Sequence, residues 1–138
     1  DVRANARALA AGVTPSTAPE TLLFGLDAAL TMMVDEGVEE VWARHARLGA
    51  LVRSGLTDLG LSMLADQDHS SDTITAFFPP EGGSSSDFKD KLAARSGVEL
   101  AVGQGAYADR VLRLGHMGWV EAPELEATLE AIGGMIRS

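Results

Sequence analysis

Hydrophobic positions divide the chain into helical and extended segments. Over residues 38–59, apolar side chains recur at steps of three and four residues, which predicts an amphipathic helix that ends at Gly60. The preceding segment, residues 20–36, is apolar nearly all round, and a domain of this size can cover one stripe of such a helix but hardly every side. We therefore expect residues 20–36 to pack on another domain or another subunit.

The hydrophobic period changes beyond Gly60. Short or alternating apolar runs predict four strands, at residues 61–64, 73–78, 98–102 and 111–115. A short helix is expected over residues 87–95 with Ser86 as its cap, and a last helix opens at Pro123. This order predicts an α+β fold, in which a mostly antiparallel sheet of about four strands is covered by helices on one face.

The N-terminal region carries two expectations. Residues 1–13 are rich in alanine and predict a linker or a frayed helix, which leaves residues 14–138 as one domain. The box Thr17-Ala18-Pro19-Glu20 then predicts a helix start, with the Thr17 hydroxyl as its cap. The same hydroxyl could instead contact a phosphate at that helix N-terminus. The spacing favours the cap and leaves the second role open.

Composition restricts the classes of partner. The 138 residues are 46% hydrophobic, which supports a core, and the 11 Lys and Arg against 20 Asp and Glu give a net charge of −9. Nucleic acid and anionic membranes both require a basic face, so neither is an expected partner. No cysteine is present and no apolar run approaches the length of a membrane span. These features favour a cytoplasmic location.

One arginine stands in an otherwise apolar strand. In the segment VLRLGHMG, alternation puts Arg113 on the face opposite Leu112 and Leu114. A guanidinium is costly there unless an anion, a carbonyl or water meets its donors, and its planar fork suits a carboxylate bidentately. Arg113 is therefore either a member of a structural ion pair or the anchor for an acidic small molecule.

Other polar groups give weaker signals. His45 lies on the apolar stripe of the predicted helix, His69 lies in a polar loop, and His116 follows the arginine strand, so packing or surface roles are expected for all three. Gly103-Gln104-Gly105 lacks the third glycine and the following helix of a dinucleotide fingerprint. Its glycines are expected instead to allow a close backbone approach.

Three segments resemble the C-terminal part of class V aminotransferases, most closely the alanine–glyoxylate and serine–pyruvate type. They are TPSTAP leading into LLFGLDAAL, the helix EEVWARHARLGALVRSGLTDLGL, and GVELAVGQG followed by RVLRLGHMG. The likeness runs in order from residue 14 to residue 136, and RLGHMG is its most specific motif. It implies the small domain of the fold-type I aminotransferases.

The resemblance implies roles for particular residues. Arg113 matches the arginine that grips the α-carboxylate of the amino-acid substrate. Thr17 matches a threonine that contacts the phosphate of pyridoxal 5′-phosphate across a dimer interface, and Thr14 falls where some members carry a tyrosine. The family holds this cofactor as a Schiff base on a lysine of a larger upstream domain. Lys89 and Lys91 lie in a short polar helix that does not resemble that setting, so no catalytic residue is expected in this chain.

Two functions follow from these observations. The resemblance implies the C-terminal domain of an enzyme that moves an amino group from a small amino acid to a 2-oxo acid such as glyoxylate or pyruvate. That domain would be inactive alone, with the missing large domain and a second subunit of a homodimer as its partners. The alternative is a non-catalytic module of ferredoxin-like build that uses Arg113 to bind a small carboxylate or acts in interactions.

Overall fold

The computed structural model describes residues 1–137, with only the backbone of Gln67. The chain divides into two compact units, Asp1–Val41 and Trp42–Ser138. The helices are α1 Val2–Ala10, α2 Glu20–Glu36, α3 Val38–Asp58, α4 Ser85–Ser96 and α5 Ala122–Ile136. The strands are β1 Ile74–Phe77, β2 Ala101–Val102 and β3 Leu112–Gly115. None of the helices within the described residues combines the length and apolar character needed to cross a membrane.

The first unit carries α1 and α2, and neither helix has a buried residue. Asp1 caps α1 by accepting a hydrogen bond from the Arg3 backbone N–H at 2.9 Å. Most of residues 1–13 are therefore helical, while the domain boundary between residues 13 and 14 stays a prediction. Gly37, with φ 91°, separates α2 from α3.

The start of α2 differs from the prediction. Its N-cap is Pro19, without any side-chain cap hydrogen bond, and the helix begins at Glu20. A hydroxyl caps a helix when it sits on the N-cap residue itself, from which it reaches the second or third helical N–H. Thr17 lies two residues before that position, so the prediction that it caps α2 was wrong.

The sheet has three strands in the order β1-β3-β2, and both pairings are antiparallel. The α+β prediction is confirmed, whereas the count of four strands was wrong. Residues 61–64 form a single bridge between Met63 and Phe77, flanked by hydrogen bonds from Leu64 N–H to the Ala76 carbonyl and from Phe78 N–H to the Ser62 carbonyl, both at 2.9 Å. This contact is too short to make a ladder, so the segment joins the sheet edge without becoming a strand.

One face of the sheet carries the core of the second unit. Its apolar side chains pack with those of three helices, as predicted. The buried cluster contains Leu48, Val52 and Leu56 of α3, Leu61, Phe77 of β1, Leu92 of α4, Leu100, Leu112 and Leu114 of β3, and Leu125 and Ile132 of α5. Since strand side chains alternate between faces, the residues between these positions on β1 and β3 point to the other face.

Two helix starts in the second unit depend on carboxylates. The N-cap of α4 is Ser84, not the predicted Ser86, and its hydroxyl accepts from the Asp87 N–H. Asp109, which has φ 55°, accepts from the Ser84 hydroxyl at 2.6 Å and from the Ser86 N–H at 2.9 Å. These hydrogen bonds lower the pKa of Asp109. At α5, Glu121 and Glu124 form a capping box.

Candidate carboxylate-binding site

Arg113 occupies the middle of β3, on the face of the sheet that the core does not cover. Its register partners are Ala76 on β1 and Ala101 on β2. Directly opposed residues in neighbouring strands have their Cβ atoms only about 5 Å apart, so they decide how much of a central side chain is covered. The side chains directly opposite Arg113 are therefore only methyl groups, and Arg113 is half-buried.

The Arg113 side chain is anchored by one hydrogen bond. Its Nε donates to the Val102 carbonyl at 3.1 Å. In residues 1–137 no carboxylate pairs with it, so the described chain offers no partner for the structural ion pair. The two terminal nitrogens present parallel N–H donors in one plane, the arrangement that receives a carboxylate bidentately.

The glycine-rich end of the RLGHMG motif is tied to α3. Gly118 has φ 81°, a conformation that favours glycine. Its N–H donates to His45 Nε2 at 3.1 Å, and its carbonyl accepts from Arg44 Nη1 at 3.0 Å. These roles of Arg44 and His45 could not be predicted from the sequence, because both contacts are made to backbone atoms more than seventy residues away.

His116 is buried between β1 and α3. Its Nε2 lies 2.9 Å from the Thr75 hydroxyl and its Nδ1 lies 3.1 Å from the Asp72 carbonyl oxygen. Burial lowers the pKa of His116, and the nearby Arg53 lowers it further, against the opposing effect of the Asp72 carbonyl. The imidazole is therefore neutral near pH 7, and its two hydrogen bonds connect the RLGHMG motif to Thr75 and Asp72.

Thr14 and Thr17 lie in the first unit, in the exposed segment between α1 and α2. Neither hydroxyl has a hydrogen-bond partner among the residues that the structure describes. They remain available to an external acceptor such as a phosphate oxygen. Arg113 lies in the second unit.

Neither of the two lysines is buried. Lys89 Nζ lies 3.2 Å from the Asp90 carboxylate, and the Lys91 side chain is exposed. A lysine that reacts as a nucleophile near neutral pH must be desolvated or otherwise have a lowered pKa. No group of His, Asp and Glu within the described part of the chain is arranged to hold a metal ion.

The predicted close approach at Gly103 is present. A Cβ at this position would overlap the Tyr107 carbonyl oxygen, and the Gly103 N–H donates to the Val111 carbonyl at 2.7 Å. Gly103 therefore closes the loop that returns the chain from β2 to β3. A side chain here would push against the backbone that leads into the arginine strand.

Two aminotransferases are similar to this chain in sequence. No protein-family model matches the chain. It is 37% identical over 126 residues to the pyridoxamine–pyruvate transaminase of Mesorhizobium japonicum, covering 90% of this chain and 32% of that protein. It is also 37% identical over 108 residues to the serine–glyoxylate aminotransferase of Methylorubrum extorquens, covering 78% of this chain and 27% of that protein.

A solved structure agrees with the sequence relatives. The crystal structure of pyridoxamine–pyruvate aminotransferase from Mesorhizobium loti superimposes with a TM-score of 0.82 at 38% identity, over 89% of this chain and 32% of that one. The chain is homologous to class V aminotransferases. The recognition from RLGHMG and its neighbouring segments is confirmed.

The chain spans about a third of the length of the curated relatives that it matches. The relatives' names imply dependence on pyridoxal 5′-phosphate in general. The comparisons are consistent with a C-terminal domain, and they do not favour the alternative of a non-catalytic ferredoxin-like module.

Proposed function

We propose that this chain is the C-terminal domain of an aminotransferase that moves an amino group from a small amino acid to a 2-oxo acid such as glyoxylate or pyruvate. The observation that carries the proposal is the Arg113 guanidinium, anchored at Nε with its terminal nitrogens unpaired in the described chain. An amino acid and a 2-oxo acid both present a carboxylate beside the reacting carbon. One arginine fork therefore serves the donor and the acceptor.

The residues present fit one part of a pyridoxal 5′-phosphate site, the contact to its phosphate. Thr17 places an exposed hydroxyl without a described partner just before α2, and Thr14 does the same three residues earlier. When bound, the cofactor supplies the electron sink for chemistry at the substrate Cα. We assign the lysine that holds it to the larger domain, and Thr17 and Thr14 to a phosphate contact in a cytoplasmic homodimer.

The carboxylate role is tested by nuclear magnetic resonance on the full chain. The Arg113 Nε–H signal should shift on addition of pyruvate, glyoxylate or L-alanine, with a dissociation constant of about 1 mM or weaker, since one ion pair at a half-buried arginine contributes little. Methyl pyruvate lacks the carboxylate and should cause no shift. An equal response to the ester would refute carboxylate recognition.

Matched arginine variants locate the binding site. Arg113→Gln should abolish the pyruvate response, whereas Arg47→Gln, which removes an exposed arginine from α3, should leave it unchanged. Equal binding by Arg113→Gln would place the carboxylate elsewhere. The chain supplied with pyridoxal 5′-phosphate, L-alanine and glyoxylate should show no amino transfer, and turnover would contradict the assignment of the reactive lysine to another domain.

A further inference from the structure

His116 links the end of β3 to several residues at the start of β1. Its side chain is fully buried, and its backbone N–H donates to the Thr73 carbonyl at 2.9 Å. The ring adds bonds to the Asp72 carbonyl at 3.1 Å and to the Thr75 hydroxyl at 2.9 Å. One residue therefore contacts three positions on the neighbouring segment.

The chemistry of these partners fixes the state of the ring. A carbonyl oxygen can only accept, so His116 Nδ1 carries the hydrogen and donates to Asp72. The unprotonated Nε2 then accepts from the Thr75 hydroxyl. The charged groups beside the ring are Arg53 of α3 and the Asp72 carboxylate, which lie 3.5 Å from each other. His116 thus uses its one donor and its one acceptor on fixed atoms of the β1 side.

The strand ladder needs such residue-specific bonds because it is short. β1 and β3 share four residue pairs, and β2 and β3 share two. A slip of one residue would turn Arg113 into the core, which the apolar pattern of β3 opposes. A slip of two residues would keep that pattern and move Arg113 away from Ala76. The bond between His116 Nε2 and the Thr75 hydroxyl opposes this second slip, because it depends on that one side chain, whereas the two bonds to the carbonyls of Asp72 and Thr73 are made to backbone atoms.

We propose that His116 is a positioning residue that sets the register of β3 and thereby holds the Arg113 guanidinium between Ala76 and Ala101. This role rests on the proposed function, because register matters here through the place where the substrate carboxylate binds. His116 does not touch the carboxylate. It acts through the backbone of the strand that carries Arg113.

Two variants of the full chain remove the bonds in different ways. Thr75→Val deletes the hydroxyl partner at nearly constant shape, and His116→Phe keeps a ring of similar size without its polar atoms. His69→Phe is the matched control at an exposed histidine. Leu56→Ala, which has no polar bond, controls for destabilisation alone. The measurements are the Arg113 Nε–H signal, pyruvate affinity of the folded protein, and nuclear Overhauser contacts between Ala76 and Arg113.

We expect Thr75→Val and His116→Phe to weaken pyruvate binding by about three- to tenfold, the range of one lost hydrogen bond, and to reduce the contacts between Ala76 and Arg113. The two control variants should bind pyruvate as the parent does. If Thr75→Val binds pyruvate as tightly as the parent and keeps the parent's contacts between Ala76 and Arg113, the proposal is overturned. This outcome decides the question even if His116→Phe fails to fold. If the parent binds no pyruvate, the carboxylate site fails, and the strand contacts alone decide the role of His116 in the register.

Discussion

The helices α2 and α3 use hydrophobic residues in opposite ways. In α2, Leu22 and Phe24 are each 73% exposed and no residue is buried. In α3, Val52 and Leu56 are fully buried and belong to the core of the second unit. The apolar stripe of α3 is buried in the core of the second unit, whereas the apolar side chains of α2 remain exposed in the described chain. Hydrophobicity alone therefore does not measure what a helix contributes to stability.

The largest expected contrast is between leucines of the two helices. Leu56→Ala should lower the free energy of unfolding by about 2–5 kcal/mol, because it leaves a cavity in the core. Leu30→Ala in α2 removes a side chain that is 50% exposed, so its effect should stay within about 0.5 kcal/mol. Urea denaturation measures both. Similar losses for the two variants would show that α2 is packed as tightly as α3.

Replacing a glycine by alanine should lower the free energy of unfolding in α3 and raise it in α2. A Cβ at Gly55 of α3 would overlap the Leu129 methyl groups of α5, so Gly55→Ala should cost about 1–3 kcal/mol. A Cβ at Gly25 of α2 meets nothing within 4 Å, so Gly25→Ala should stabilise that helix by about 1 kcal/mol. Denaturation and helical circular dichroism follow the two effects. Stabilisation by both variants would rule out the close packing of α3 on α5.

Acid should weaken the second unit before the first. His116 has a lowered pKa in the folded chain, so its contribution is present above the ordinary value of 6.5 and is lost as the pH falls from there through the folded value. Asp109 also has a lowered pKa, and its contribution is lost only below its ordinary value of 3.8. All three histidines lie in the second unit, beyond Val41. The hydrogen-exchange rates of α2 amides should therefore not change when the contribution of His116 is lost.

Matched variants isolate the histidine contribution. Denaturation at pH 7.5 and 5.5 should show a drop in stability that His116→Phe reduces and His69→Phe retains. An unchanged drop in His116→Phe would assign the acid sensitivity to another group.

Substitutions at exposed apolar residues of α2 should change stability least and should instead change the self-association of the chain. Phe24→Gln with Leu30→Gln should leave the free energy of unfolding within about 0.5 kcal/mol of the parent while reducing self-association and dye binding, because both side chains are exposed. Val2→Gln in α1, at a side chain that is 83% exposed, is the control and should reduce neither. Sedimentation and dye fluorescence measure the outcome. A monomeric parent without dye binding would contradict the expected role of α2.

Helices were predicted well because their signals are local. The apolar period and Gly37 predicted helices over residues 20–36 and 38–59. The structure has α2 at Glu20–Glu36 and α3 at Val38–Asp58, so the predicted bounds agree with it to within one residue. The prediction of a strand at residues 61–64 was wrong because pairing depends on a distant partner, and the pairing with β1 ends after the single bridge at Met63. A short apolar run does not reveal how many of its backbone groups will be paired.

The place of Arg113 in a strand was predictable from side-chain alternation, whereas its role as a carboxylate anchor stays a prediction. Arg113 stood out in β3 for that reason, but the Val102 carbonyl that anchors it is a backbone group and leaves no trace in the sequence. The α4 cap was misplaced within a run of serines, because the deciding carboxylate of Asp109 lies 25 residues from Ser84. Interactions made through backbone atoms or across such distances require the structure.

The anchoring of Arg113 through Nε leaves the edge formed by its two terminal nitrogens for a ligand. Two parallel N–H···O bonds fix the plane of a carboxylate, while the bond from its carbon to Cα remains free to rotate. Mirror-image amino acids therefore form the same two bonds with the same energy. On the proposed function, enantiomer selection must therefore come from groups that touch the substituents on Cα, and the Arg113 fork would contribute affinity without handedness.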